Sequence, residues 1–198
     1  MVLNVTGRPV ERNVQVEVTK RTLKGILGIP AEASGVVLFA HGSGSGRLSP
    51  RNQFVARSLQ SAGMATLLID LLEEDEAEDR RKVFDVRLLA TRLQGAAAWL
   101  RSDPETCELP LGYFGASTGA AAALIAAAEQ PSIAAVVSRG GRPDLAFSYL
   151  RRNRSQPGEQ RRDVLASEMS GDGLGDEVQG ATVLLAAGFN GGKHRFHE

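Results

Sequence analysis

Four short apolar runs, 35–40 (GVVLFA), 64–70 (MATLLID), 109–114 (LPLGYF) and 133–138 (IAAVVS), recur at intervals that each leave room for a helix. Runs of this length, rich in Val, Ile and Leu and without polar alternation, have the character of strands buried on both faces. The intervening segments carry helical spacing. Ser49 or Asn52 caps a helix reaching about Ala62, with Phe54, Val55 and Leu59 on one face. Residues 86–101 place Leu88, Leu89, Leu93, Ala96, Ala97 and Leu100 at helical intervals, and residues 118–129 are Ala-rich. Strand and helix in alternation imply a parallel sheet with helices on both faces. Two earlier strands, 13–18 and 23–27, read as a hairpin in front of it. The expected architecture is therefore a three-layer, mostly parallel α/β sheet in a single domain over 1–198.

Beyond residue 138 the pattern weakens. Residues 151–163 are polar and hold five arginines, 164–169 suit a short helix, and 171–175 (GDGLG) read as a turn. Only 181–187 (ATVLLAA) reads as a further strand, so the C-terminal part is abbreviated. A missing strand would leave an open sheet edge, and pairing of two chains would cover it; a homodimer is the expectation.

Lys plus Arg and Asp plus Glu number 23 each, so nothing in the overall charge announces a nucleic-acid partner. The acidic run from Glu73 to Asp79, followed by Arg80, Arg81 and Lys82, reads as a solvated loop entering a helix. The single cysteine, Cys107, has no internal disulfide partner, and no His/Cys cluster has metal-ligand spacing; no metal and no organic cofactor is expected. The N-terminus carries no apolar signal region and no run is long enough to span a bilayer, which points to a cytoplasmic protein without a membrane partner.

The chemistry is concentrated at Gly115-Ala116-Ser117-Thr118-Gly119, between the strand LPLGYF and the helix TGAAAALIAAAE. Gly-x-Ser-x-Gly in that context is a sharp turn that lifts a serine hydroxyl above the C-terminal edge of the sheet. The glycines are required because side chains on either side would collide. The loop His41-Gly42-Ser43-Gly44 ends the first central strand. Together with Thr118 it can present two backbone N–H groups, one from Thr118 and one from near Ser43, to an oxyanion. It does not match a dinucleotide-binding Gly-x-Gly-x-x-Gly, because Arg47 stands where the last glycine belongs.

The runs LFAHGSGSGRLSPRNQFVARSL, LLIDLLEEDE, YFGASTGAAAAL and VVSRGGRPDLA together resemble the serine α/β hydrolases related to dienelactone hydrolase, over residues 10–145. The resemblance implies an α/β-hydrolase fold and a Ser, Asp, His triad in that chain order. Dienelactone hydrolase itself carries a cysteine at the position matched by Ser117, so serine here points to carboxylic esters in general.

Residues 146–198 diverge. If 181–187 is the family's acid-bearing strand, its turn Gly188-Phe189-Asn190 has no carboxylate; if it is the last strand, Val183 stands where a histidine is expected. Asp163, Asp172 and Asp176 are alternatives for the acid that residue types do not separate. His194 is the candidate base, with His197 as its neighbour, while His41 serves local hydrogen bonding. Arg139 and Arg142 suit an anionic substrate group, but pairing with Asp144 is the plainer reading. The expected catalytic pair is therefore Ser117 and His194, with Ser43, Thr118, His41 and Gly42 at the oxyanion and substrate side. The expected reaction is hydrolysis of a small carboxylic ester. The alternative is a hydrolase-like scaffold without useful catalysis, acting as a binding protein.

Overall fold

The computed structural model describes residues 9–141 and 145–146 with their side chains, and the backbone of 164–168 and 181–186. The chain runs β1 (Val10–Val18), β2 (Arg21–Ile29), β3 (Gly35–Ala40), α1 (Pro50–Ser61), β4 (Met64–Ile69), α2 (Glu74–Ala77), α3 (Arg80–Val83), α4 (Val86–Ser102), β5 (Leu111–Ala116), α5 (Thr118–Glu129), β6 (Ile133–Arg139), β7 (Val164–Glu168) and β8 (Ala181–Ala186). One sheet in the order β1-β2-β4-β3-β5-β6-β8-β7 joins all the strands. Its centre, β4-β3-β5-β6, is parallel, as the four apolar runs imply. The β1–β2 hairpin adds antiparallel to β4 on one side.

Helices cover both faces because the chain winds in both directions from β3. The step from β3 to β4 through α1 and the step from β4 to β5 through α4 run in opposite directions along the sheet. Right-handed crossovers then place α1 and α4 on opposite faces. On one face α4 and α5 pack against Val16, Leu38, Leu67 and Tyr113. On the other, Val55 and Ala56 of α1 meet Phe39, Leu68 and Phe114. In α5 every residue from Thr118 to Ala127 is buried, and its alanines allow close approach to the strands beneath.

Three local expectations are corrected. In α1 the buried residues are Asn52, Val55, Ala56 and Gln60, whereas Phe54 is 49% exposed. Gln60 bonds Thr66 Oγ1 at 2.7 Å, and Asn52 holds the preceding loop, so polar contacts orient this helix more than its apolar count does. The acidic run is not a plain solvated loop: it forms α2 and, through Asp79, caps α3, and Glu76 is buried. Residues 164–168 form a strand rather than a short helix, antiparallel to β8, because five residues gain more from a ladder partner than from a single helical turn. The strand expected over 181–187 is present as β8, Ala181–Ala186, and pairs antiparallel with β6.

Tyr113 is buried in β5 and donates its hydroxyl to Gln130 Oε1. Burial pushes its phenol well above the usual tyrosine range, with the charge of Arg101 acting in the opposite direction. The unfolded phenol ionises near pH 10 while the folded one stays neutral, so this group's contribution is intact below that pH and is lost as pH rises above it. Urea midpoints measured from pH 8 to 11 are expected to fall more steeply for the native chain than for Tyr113→Phe. Equal slopes would overturn this assignment.

Candidate active site

The strand order reverses direction at β3. Its chain successor β4 lies on one side and β5 on the other, and the loops leaving β3 and β5 diverge above the gap. Such a switch point, outside the carboxyl ends of the strands, is where open α/β sheets form a crevice. The register sets Ala40 beside Gly115, so the His41 loop and the Ser117 turn start level with each other.

Ser117 has φ 51° and ψ −121°, a positive φ on a non-glycine residue, and it is partly exposed. Such a conformation costs on the order of 1–3 kcal/mol and persists only where the surroundings enforce it. Here the end of β5 and the first turn of α5 enforce it. A Cβ on Gly115 would lie 2.5 Å from Cα of Ala120, and one on Gly119 would lie 2.5 Å from the His41 carbonyl oxygen. Only glycine on both sides lets the strand fold straight into the helix while the helix leans on the β3 loop. The N–H of Thr118, the first residue of α5, belongs to the helical turn whose amides lack an intrahelical acceptor.

The β3 loop is held against this turn by polar contacts. Ser43 N–H donates to Thr118 Oγ1 at 3.2 Å, linking the two backbone segments expected to hold an oxyanion. Gly42 packs so closely that a Cβ there would be 3.1 Å from Ser117 Cβ. Leu71 N–H donates to His41 Nε2 at 3.0 Å, which leaves the ring proton on Nδ1, where it is donated to the Gly42 carbonyl at 3.0 Å. Both ring nitrogens of His41 are thus engaged, and it is the one histidine among the described residues. Ser117, Thr118, His41, Gly42 and Ser43 come together; His194, His197, Asp163, Asp172 and Asp176 lie outside the described residues, as do Arg142 and Asp144. Arg139, at the end of β6, sets its guanidinium 5.8 Å from the Phe114 ring centre.

Two further residues shape the loop. Asp70, at the end of β4, accepts from Arg47 N–H at 2.7 Å and pairs with the Arg47 guanidinium. Asn52 donates to Ser45 Oγ and to the Gly46 carbonyl, both at 3.2 Å. In the sequence Asp70 stands only as the end of a strand and Asn52 only as one of two cap candidates. A carboxylate at the carboxyl end of a central strand was the signal available for the first; none marks the second. Next to the loop opens a cavity of about 340 Å³, lined in addition by Asp70, Leu72, Glu74, Ala77, Val83 and Leu89.

Comparison with known proteins bears on what this crevice is. No family model matches the chain. The crystal structure of dienelactone hydrolase from Anabaena variabilis is 60% identical, with a TM-score of 0.68, over 71% of this chain and 68% of that one. The chain belongs to the dienelactone hydrolase family. Two proteins from two strains of Mycobacterium tuberculosis, whose name assigns them provisionally to the phosphoribosyl transferases, are each 54% identical over 141 residues, 71% of this family member. It spans about a third of the length of these curated relatives, 32%. A cold-adapted esterase from an Arctic intertidal metagenomic library is 20% identical over 77% of this chain and 71% of its own, with a TM-score of 0.60, and shows the shared fold alone. Among the described residues of this dienelactone hydrolase relative, no helix is long and apolar enough to cross a membrane.

Proposed function

We propose that the chain hydrolyses small carboxylic esters through an acyl-enzyme on Ser117. The observation that carries this reading is the strained turn at Ser117, φ 51° and ψ −121°, at the carboxyl end of β5 and level with the loop that follows β3. Strain is retained where function needs a side chain aimed in a direction the relaxed backbone does not allow. Ser117 Oγ attacks the ester carbonyl carbon, and its proton passes to a histidine, for which His194 is the candidate. The carbonyl oxygen becomes an oxyanion held by the N–H of Thr118 and by an N–H of the loop around Ser43 other than that of Ser43 itself, which donates to Thr118 Oγ1. The alcohol leaves with the proton, and water then attacks the acyl-enzyme and releases the carboxylic acid. His41 does not serve as the base, because Leu71 N–H and the Gly42 carbonyl occupy its ring nitrogens.

That engagement of His41 also supports a second reading, a hydrolase-like scaffold that binds without turnover. The name of the mycobacterial relatives belongs to chains of which this one covers 32%, and the turn at Ser117 favours acyl chemistry over phosphoribosyl transfer.

A fluorophosphonate probe separates the two readings. It is expected to label the native chain at Ser117, located by mass spectrometry of the modified peptide, and to leave Ser117→Ala unlabelled. A folded native sample that resists the probe would overturn the hydrolase reading in favour of the scaffold.

A further inference from the structure

We propose that the cavity lined by the His41–Ser45 loop and by Thr118, the neighbour of Ser117, receives a compact apolar substituent of the ester, and that α2 and α3 form the wall that limits its length; this rests on the serine-hydrolase reading. The cavity is lined on the near side by the His41–Ser45 loop and Thr118, where the reacting carbonyl would sit. Four apolar side chains line the rest of it, Leu72 from the segment after β4, Ala77 from α2, Val83 from α3 and Leu89 from α4, beside Asp70 and Glu74, whose carboxylates pair with Arg47 and Lys24. A volume of about 340 Å³ lies at the small end for ligand cavities, which suits a short hydrocarbon group rather than a long fatty chain.

Helices of four residues do not hold themselves together in water. This wall is instead pinned to the scaffold by its acidic residues. Glu73 accepts from Thr22 N–H at 2.7 Å and pairs with Arg21 at 2.5 Å, fixing the start of α2 to β2. Glu74 pairs with Lys24 of the same strand at 2.8 Å. From inside the segment, Glu76 meets Arg92 of α4 at 3.2 Å, and Arg92 in turn donates to the Val18 carbonyl at 2.7 Å. Lys82 of α3 reaches the same Glu76 carboxylate at 3.4 Å. The charged run thus fastens Ala77 and Val83 over the cavity at a set distance. Ala77, exposed and with the smallest apolar side chain among the lining residues, is the position where added bulk narrows the cavity.

The test compares the native chain, Ala77→Phe and Val83→Ala on two ester series, with fluorophosphonate labelling of Ser117 run in parallel. One series is 4-nitrophenyl acetate, butyrate, hexanoate and octanoate; the other is the matched alkyl acetates. In one series Ala77→Phe is expected to lower the ratio of kcat/KM for the six-carbon over the two-carbon member by about tenfold or more, the discrimination a few methylenes produce in an apolar pocket. Val83→Ala is expected to move the preferred length upward in that same series. A response in the acyl series assigns the cavity to the acid portion of the ester; a response in the alkyl series assigns it to the alcohol. If the native chain hydrolyses esters and both variants keep ratios within about twofold of it in both series, the wall assignment is overturned. If the native chain neither labels nor hydrolyses, the serine-hydrolase reading itself fails.

Discussion

Ser117→Ala is expected to lower kcat/KM for 4-nitrophenyl acetate by roughly ten-thousandfold or more, leaving only what binding and oxyanion contacts provide. Alanine at this position still has a Cβ, so the positive φ of 51° remains strained and the fold is unchanged. Ser117→Gly is the informative companion. It removes the nucleophile equally, but glycine tolerates this backbone conformation. Relief of the strain, less the extra entropy glycine loses on folding, leaves a net gain of roughly 0.5–2 kcal/mol over Ser117→Ala. For a chain of this size that corresponds to a melting temperature about 1–8 °C higher. Activity retained in Ser117→Ala would remove Ser117 from the mechanism. A Ser117→Gly variant melting at or below Ser117→Ala would show that the turn holds no strain.

Glu76→Ala is expected to cost roughly 3–5 kcal/mol of unfolding free energy, the typical loss when one partner of a buried ion pair is deleted. The Glu76 and Arg92 side chains are 4% and 5% exposed, so the deletion strands a guanidinium away from water. Lys82 at 3.4 Å and Arg21 at 3.7 Å from the same carboxylate would lose their counter-charge as well. The double variant Glu76→Met, Arg92→Met removes both charges and is expected to lie within about 2 kcal/mol of the native chain, because apolar replacement of a buried pair is close to neutral. Urea unfolding measures both. A cost below about 1 kcal/mol for Glu76→Ala would place the pair with exposed surface bridges and undo the account of how α2 is anchored.

How far the sequence could be read depended on whether the deciding contact was local. The helix over 118–129 coincides with α5, Thr118–Glu129, because the glycines of the turn and the alanine run act within a few residues. The parallel centre was equally legible, since uninterrupted apolar runs leave few alternatives to strands covered on both faces. The buried role of Glu76 was hidden: Arg92 is 16 residues away on another helix, and a carboxylate in an acidic stretch looks solvated until that partner folds against it. The inward face of α1 is hidden in the sequence for a related reason. Asn52 is buried where it bonds Ser45 and the Gly46 carbonyl, while Phe54 stays half exposed.

By itself the sequence determined the layered α/β architecture, the turn that carries Ser117 and the glycine loop facing it, since all three follow from periodicity and from residues with restricted or unusual backbone freedom. The tertiary structure decided what those pieces enclose. It engaged both nitrogens of His41, joined Ser43 to Thr118, set Asp70 against Arg47, and turned a run of acids into a wall anchored on β2 and α4. Each of these depends on groups distant along the chain meeting within a few ångströms, and hydrogen bonding and charge pairing at that range are created only when the sheet order brings them together.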